Sequence, residues 1–148
     1  MSKRFTALCG LYCLDCIPAN QKLYSTINDL SMMLSELQFD KYASLKSQSN
    51  HVFKHYEMFI DVMRAIAELE CNTPCREGGC KKNCAIRECV LCRGLDGCWE
   101  CDCIRECKHL ELLKKIHPNI EYHLKLIKKH GTEGWISRRK HHYWWQET

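Results

Sequence analysis

Ten of the 13 cysteines in this 148-residue chain lie between Cys71 and Cys107, and the other three form a Cys9-x3-Cys13-x2-Cys16 cluster. That is far more thiol than any single catalytic mechanism requires. The spacings recur as short knuckles: Cys71-x3-Cys75, Cys80-x3-Cys84, Cys89-x2-Cys92 and Cys98-x2-Cys101. A loop that short lets two thiolates point at one ion. The chain is therefore expected to fold around metal.

Disulfides are the other staple such a sequence could use, and the expected compartment argues against them. The opening MSKRFTALCGLYCLDC has a basic pair but only a short apolar run, broken at Asp15, and no small-residue cleavage site follows. It does not read as a secretory signal, and no apolar stretch reaches the roughly 18 residues of a membrane span. A cytoplasmic protein with no membrane association is expected, and there cysteines serve as ligands or redox groups. A staple is needed because residues 71–107 carry few large apolar side chains: Ile86, Val90, Leu91, Leu95, Trp99 and Ile104. Length predicts one domain over residues 1–148. Within it, 17–70 is helical, 71–107 forms a metal core together with 9–16, and 107–148 supplies C-terminal helices.

Leu23, Ile27, Leu30, Leu34 and Leu37 recur at three- and four-residue spacing after Pro18, which suits a first helical turn. A second stripe comprises Val52, Tyr56, Phe59, Ile60, Met63, Ile66, Ala67 and Leu69. The two stripes are expected to pack on each other across a polar connection at Ser44–Asn50. The cysteine block reads as irregular chain turning at Gly78, Gly79, Gly94 and Gly97. Leu110, Leu113 and Ile116 mark a helix that stops before Pro118. Ile120, Leu124 and Ile127 mark another, capped by Gly131, and a short helix surrounds Trp135. No segment alternates as a strand does. The expected class is mainly α: a small helical protein with a Cys-rich, metal-stabilised loop core.

Thiolate-rich sites select zinc, Cu(I) or iron–sulfur clusters. Structural zinc is the first expectation, with a [4Fe–4S] redox or catalytic protein as the alternative. The N-terminal spacing matches that of radical S-adenosylmethionine enzymes, but nothing here supplies their α/β barrel. The candidate ligands are Cys9, Cys13, Cys16, Cys71, Cys75, Cys80, Cys84, Cys89, Cys98, Cys101 and Cys107. Cys92 and Cys103 crowd neighbouring pairs and are left unassigned. The N-terminal trio needs a fourth ligand from the central block, which would clasp the two segments together. His51 and His55 stand four residues apart without an HExxH glutamate, so they read as a solvent-facing pair and a catalytic zinc is not implied. Arg87 and Glu100 adjoin candidate ligands, either tuning the sulfurs or simply solvated. The formal net charge is +4, and residues 108–148 hold nine Lys and Arg against four Glu. The tail Arg138–Trp145 interleaves cations with aromatics, so a nucleic-acid-binding zinc protein is a second alternative. The modest charge weighs against it, leaving a protein or small molecule as the expected partner.

The run Cys9-Gly10-Leu11-Tyr12-Cys13-Leu14-Asp15-Cys16-Ile17-Pro18-Ala19 resembles the CGLxCxxCxA opening of an uncharacterised, cysteine-rich prokaryotic family of unknown function. Further signatures are similar: Cys84-Ala85-Ile86-Arg87-Glu88-Cys89, Gly94 to Cys101 with Cys98-Trp99-Glu100-Cys101, and Cys107-Lys108-His109-Leu110. His117, Leu124, Ile127, Gly131 and Trp135 match its trailing pattern. The resemblance implies a small cytoplasmic protein that binds zinc or another metal, with no established activity. The chain departs from it in the wider Cys71-x3-Cys75 spacing and in the additional Cys80, Cys92 and Cys103.

Overall fold

A computed structural model describes residues 2–80 and 83–146. Seven α-helices run along them: α1 (Ser2–Phe5), α2 (Gln21–Glu36), α3 (Phe39–Lys46), α4 (Tyr56–Ala67), α5 (Ala85–Cys92), α6 (Lys108–Ile116) and α7 (Ile120–Gly134). Among the described residues extended backbone pairs only in an isolated antiparallel bridge between Thr6 and Tyr12. The mainly α class holds. The chain divides into two compact units, one of residues 17–70 and one joining residues 1–16 to 71–148. Every cysteine belongs to the second.

In the 17–70 unit, Pro18 sits in a 3-10 turn, Ile17–Ala19, ahead of the long helix. The helix start belongs to Asn20, whose side chain accepts the Leu23 N–H at 3.1 Å. α2 packs on α4 as the two stripes predict, and α3 packs on both. That third helix takes up the first three of the seven residues expected to be a polar connection. Phe39 explains it, since its ring lies 5.4 Å from Tyr42, 6.4 Å from Phe53 and 5.5 Å from Tyr56. Ala43 is sealed between the helices, but Tyr24, Ile27 and Met63 are the only other apolar side chains fully buried in this unit. Leu37, Leu45, Val52, Met58 and Leu69 remain exposed.

The main core lies in the other unit. Leu8, Val90, Cys98, Trp99, Leu110, Ile120, Leu124, Ile127 and Trp135 form one buried cluster. Burying a Leu or Ile side chain contributes about 1.5–3 kcal/mol, so this cluster carries much of the unit's stability. α6 ends before Pro118 as expected, and α7 kinks at Gly131, where φ is +70°. α5 corrects the reading of the cysteine block as wholly irregular. Ile86 and Val90, one turn apart, face that core and make the segment a helix. Gly10 and Gly97 are required by close approach. A Cβ at Gly10, whose φ is +86°, would meet Leu124 at 2.6 Å, and one at Gly97 would meet the Trp99 ring at 2.3 Å.

Candidate metal centre

The backbone first brings the N-terminal segment to the central block. The Cys98 N–H donates to the Leu8 carbonyl at 2.8 Å. Arg76 donates from Nε to the Thr6 carbonyl at 2.8 Å, and from its two terminal nitrogens to Asp96 Oδ1 at 3.1 Å and the Asp96 carbonyl at 2.9 Å. Its guanidinium also lies 5.3 Å from the Trp99 ring. Arg4 adds a bidentate pair with Glu77 at the surface, at 2.6 and 3.0 Å. These contacts join the chain segment before Cys9 to the chain around Cys75 and Cys98.

The sulfurs then fall into two sets. In the first, Cys9, Cys13, Cys16 and Cys75 are each half-buried, and Cys71, Cys80 and Cys84 stand around them. Burial pushes the Cys13 thiol up to about 11, opposed by a backbone hydrogen bond from Cys75 and reinforced by the Cys75, Cys16 and Cys71 sulfurs. Cys9 is raised by burial above all, and then by Cys75, Cys98 and Cys84. Cys16 and Cys75 are raised for the same reason, with the Tyr143 hydroxyl 3.5 Å from the Cys16 sulfur easing the former. The N-terminal trio is thus placed beside Cys71, Cys75, Cys80 and Cys84.

The second set is Cys89 on α5, Cys98 opening a 3-10 turn and Cys101 capping it, and Cys107 at the N-cap of α6. The Cys101 N–H closes that turn onto the Cys98 carbonyl at 3.1 Å. Cys98 is buried and pushed up to about 12, by desolvation first and then by the Cys107, Cys101, Cys89 and Cys84 sulfurs. All four line one cavity of ≈ 340 Å³ together with Cys103. Arg93 donates to the Cys101 sulfur at 3.1 Å. The two sets abut through Cys84 and Cys9, each electrostatically coupled to Cys98.

Among the described residues, no three Cys, His, Asp or Glu side chains close on a common point as a bound ion would require. The donor chemistry nevertheless suits a soft metal. The thiols are numerous, largely half-buried and mutually repelling once ionised, which a cation would reverse. Of the two unassigned thiols, Cys92 is exposed, and Cys103 is exposed at the cavity rim. Cys80 is exposed as well.

Arg87 is half-buried and bonds the Cys75 carbonyl at 3.1 Å and the Gly79 carbonyl at 2.9 Å, so it braces the Cys75 loop. Glu100 is exposed and accepts the Asp96 N–H at 2.7 Å, which shapes the chain before Cys98. His51 and His55 are exposed.

Sequence reasoning missed the polar groups on the far side of the trio. Asp15 lies between Cys13 and Cys16 and takes both oxygens into a bidentate pair with Arg139, at 2.5 and 2.7 Å. His117, His123 and His142 are all buried. The His123 Nε2 accepts the Lys140 N–H at 3.0 Å, and His117 Nδ1 meets the His142 carbonyl. The Asp15 of the first knuckle was a visible signal for this pairing, but its partner lies 124 residues away. The C-terminal tail is thus pinned at Arg139, His142 and Tyr143, while Trp144 and Trp145 are exposed.

Fold and site together define a small, mainly α-helical, cysteine-rich protein. The chain belongs to the DUF3795 family, described as a protein of unknown function, whose profile matches residues 5–112. Neither curated proteins nor solved structures provide a match. Among the described residues, no helix is long and apolar enough to cross a membrane.

Proposed function

We propose that this protein is a thiolate metal-binding module in which zinc, held by the first cysteine set, is structural. One observation carries the reading. The N-terminal trio and Cys71, Cys75, Cys80 and Cys84 come from segments more than fifty residues apart in sequence, yet share one neighbourhood. The ligands are drawn from Cys9, Cys13, Cys16, Cys75 and Cys84, with Cys71 and Cys80 completing the set. Four thiolates close a tetrahedral shell and leave no open coordination position, so the zinc contributes folding energy and not catalysis. The protein then acts by binding a partner molecule.

Elemental analysis of the purified protein tests this. Zinc should copurify, fall in Cys13→Ser and Cys16→Ser, and its removal by a chelator should lower the melting temperature. A protein that carries no metal, with every thiol free to react, would sink the proposal.

A further inference from the structure

The second cysteine set has a geometry of its own. Cys89, Cys98, Cys101 and Cys107 come from three separate elements and face one cavity, and none of the first set lines it. On one side its wall is apolar, with Ile86, Val90, Leu95, Ile104 and Leu110. The pocket they share is ≈ 340 Å³ and partly open to solvent, with Arg93, Glu106, Lys108 and His109 along its open side. A mononuclear zinc draws four thiolates onto one point, about 2.3 Å from each sulfur. A polynuclear cluster holds its four thiolates further apart, around a body of its own.

We propose that Cys89, Cys98, Cys101 and Cys107 form a second metal centre whose occupant is a [4Fe–4S] cluster. This rests on the reading that thiols of this chain bind metal, and it changes the chemistry assigned to one set. The arrangement matches what such clusters use. Four Cys thiolates supply the ligands, and an apolar wall with a hydrogen bond to a ligating sulfur sets the potential. Here that bond is Arg93 Nη1 to Cys101 Sγ. Cys103, exposed on the rim, is a spare thiol and not a ligand.

The full-length protein, purified and kept without oxygen, decides the matter. It should be brown, absorb near about 400 nm and carry about four iron and four acid-labile sulfide per chain. Cys98→Ser and Cys107→Ser should lose that iron and colour while keeping zinc. Cys13→Ser and Cys16→Ser should keep the colour, and so should Cys103→Ser. Arg93→Gln should bind the same iron with a more negative reduction potential, because a cation beside the sulfur is gone. X-ray absorption on the unaltered protein needs no variant and should show metal–metal scattering that mononuclear zinc lacks. A colourless protein with zinc in both sets, still without iron after anaerobic reconstitution with iron and sulfide, overturns the cluster but leaves the metal reading standing. Iron that follows Cys13 instead of Cys98 overturns the assignment to this set. A chain without any metal overturns both.

Discussion

At the scale of single residues, the cysteine unit depends on a few close approaches that tolerate no added atoms. Gly97 is extended, so its requirement is steric: the Trp99 ring occupies the space a side chain would need. Gly97→Ala should cost about 1–3 kcal/mol by overpacking, read as a lower denaturant midpoint. Recovery of that midpoint when Trp99→Leu is added would tie the loss to this contact. Trp135 is fully buried and donates its indole N–H to Thr6 Oγ1 at 3.1 Å. Thr6→Val keeps the shape and leaves the indole N–H unpaired, so a loss of about 1–3 kcal/mol is expected. An unchanged unfolding curve would refute the role assigned to that bond. Neither residue is a cysteine, yet both hold the strand of chain that delivers Cys9.

At the scale of elements, the helices differ in what secures them. α6 and α7 bury Leu110, Ile120, Leu124 and Ile127 almost completely, whereas α2 and α4 present several apolar side chains to solvent. Amide hydrogen exchange should therefore be slower in residues 120–127 than in α2 and α4, and the reverse order would contradict this account of the core. The C-terminal strap is held by buried histidines. Desolvation holds His123 and His142 down to about 4, with the His117 ring adding to the depression of both. Asp15, Arg139 and the Lys140 N–H face them. An unfolded histidine titrates near about 6.5. Below that pH the unfolded chain gains protons that the folded chain refuses, so stability is full above about 6.5 and declines as pH falls toward about 4. Acid also displaces metal from thiolates, so the comparison is between variants. His123→Gln should show a shallower fall in urea midpoint from pH 6.5 to 4.5 than the parent chain, and parallel curves would remove these histidines from the explanation.

At the scale of the whole molecule, every cysteine, and with it the proposed metal, belongs to one unit and not the other. Stripping it should lower the melting temperature by the mass-action loss of a folded-state ligand. Part of the helical circular dichroism should remain, because residues 17–70 contain no cysteine. Complete loss of helicity would show that the two units unfold as one. Much of this architecture was legible in the chain. The 3.6-residue stripes marked α2, α4, α6 and α7, and Pro118 marked a stop, since periodicity and backbone restriction are local properties, while Gly131, read as the end of α7, proved a kink within it. α3 and α5 were not legible. Phe39 needs the rings of Phe53 and Tyr56, and Ile86 and Val90 need a core built by distant helices, before either segment has a face to bury. The candidate site divides in the same way. Which cysteines exist and how tightly they are spaced is written in the sequence, because a knuckle is a few bonds long. Their separation into a set around Cys9, Cys13 and Cys16 and a set around one cavity was decided only by tertiary packing. Closing a loop of more than fifty residues costs entropy whatever its sequence, so the partner of a distant thiol is set by the core contacts that repay that cost.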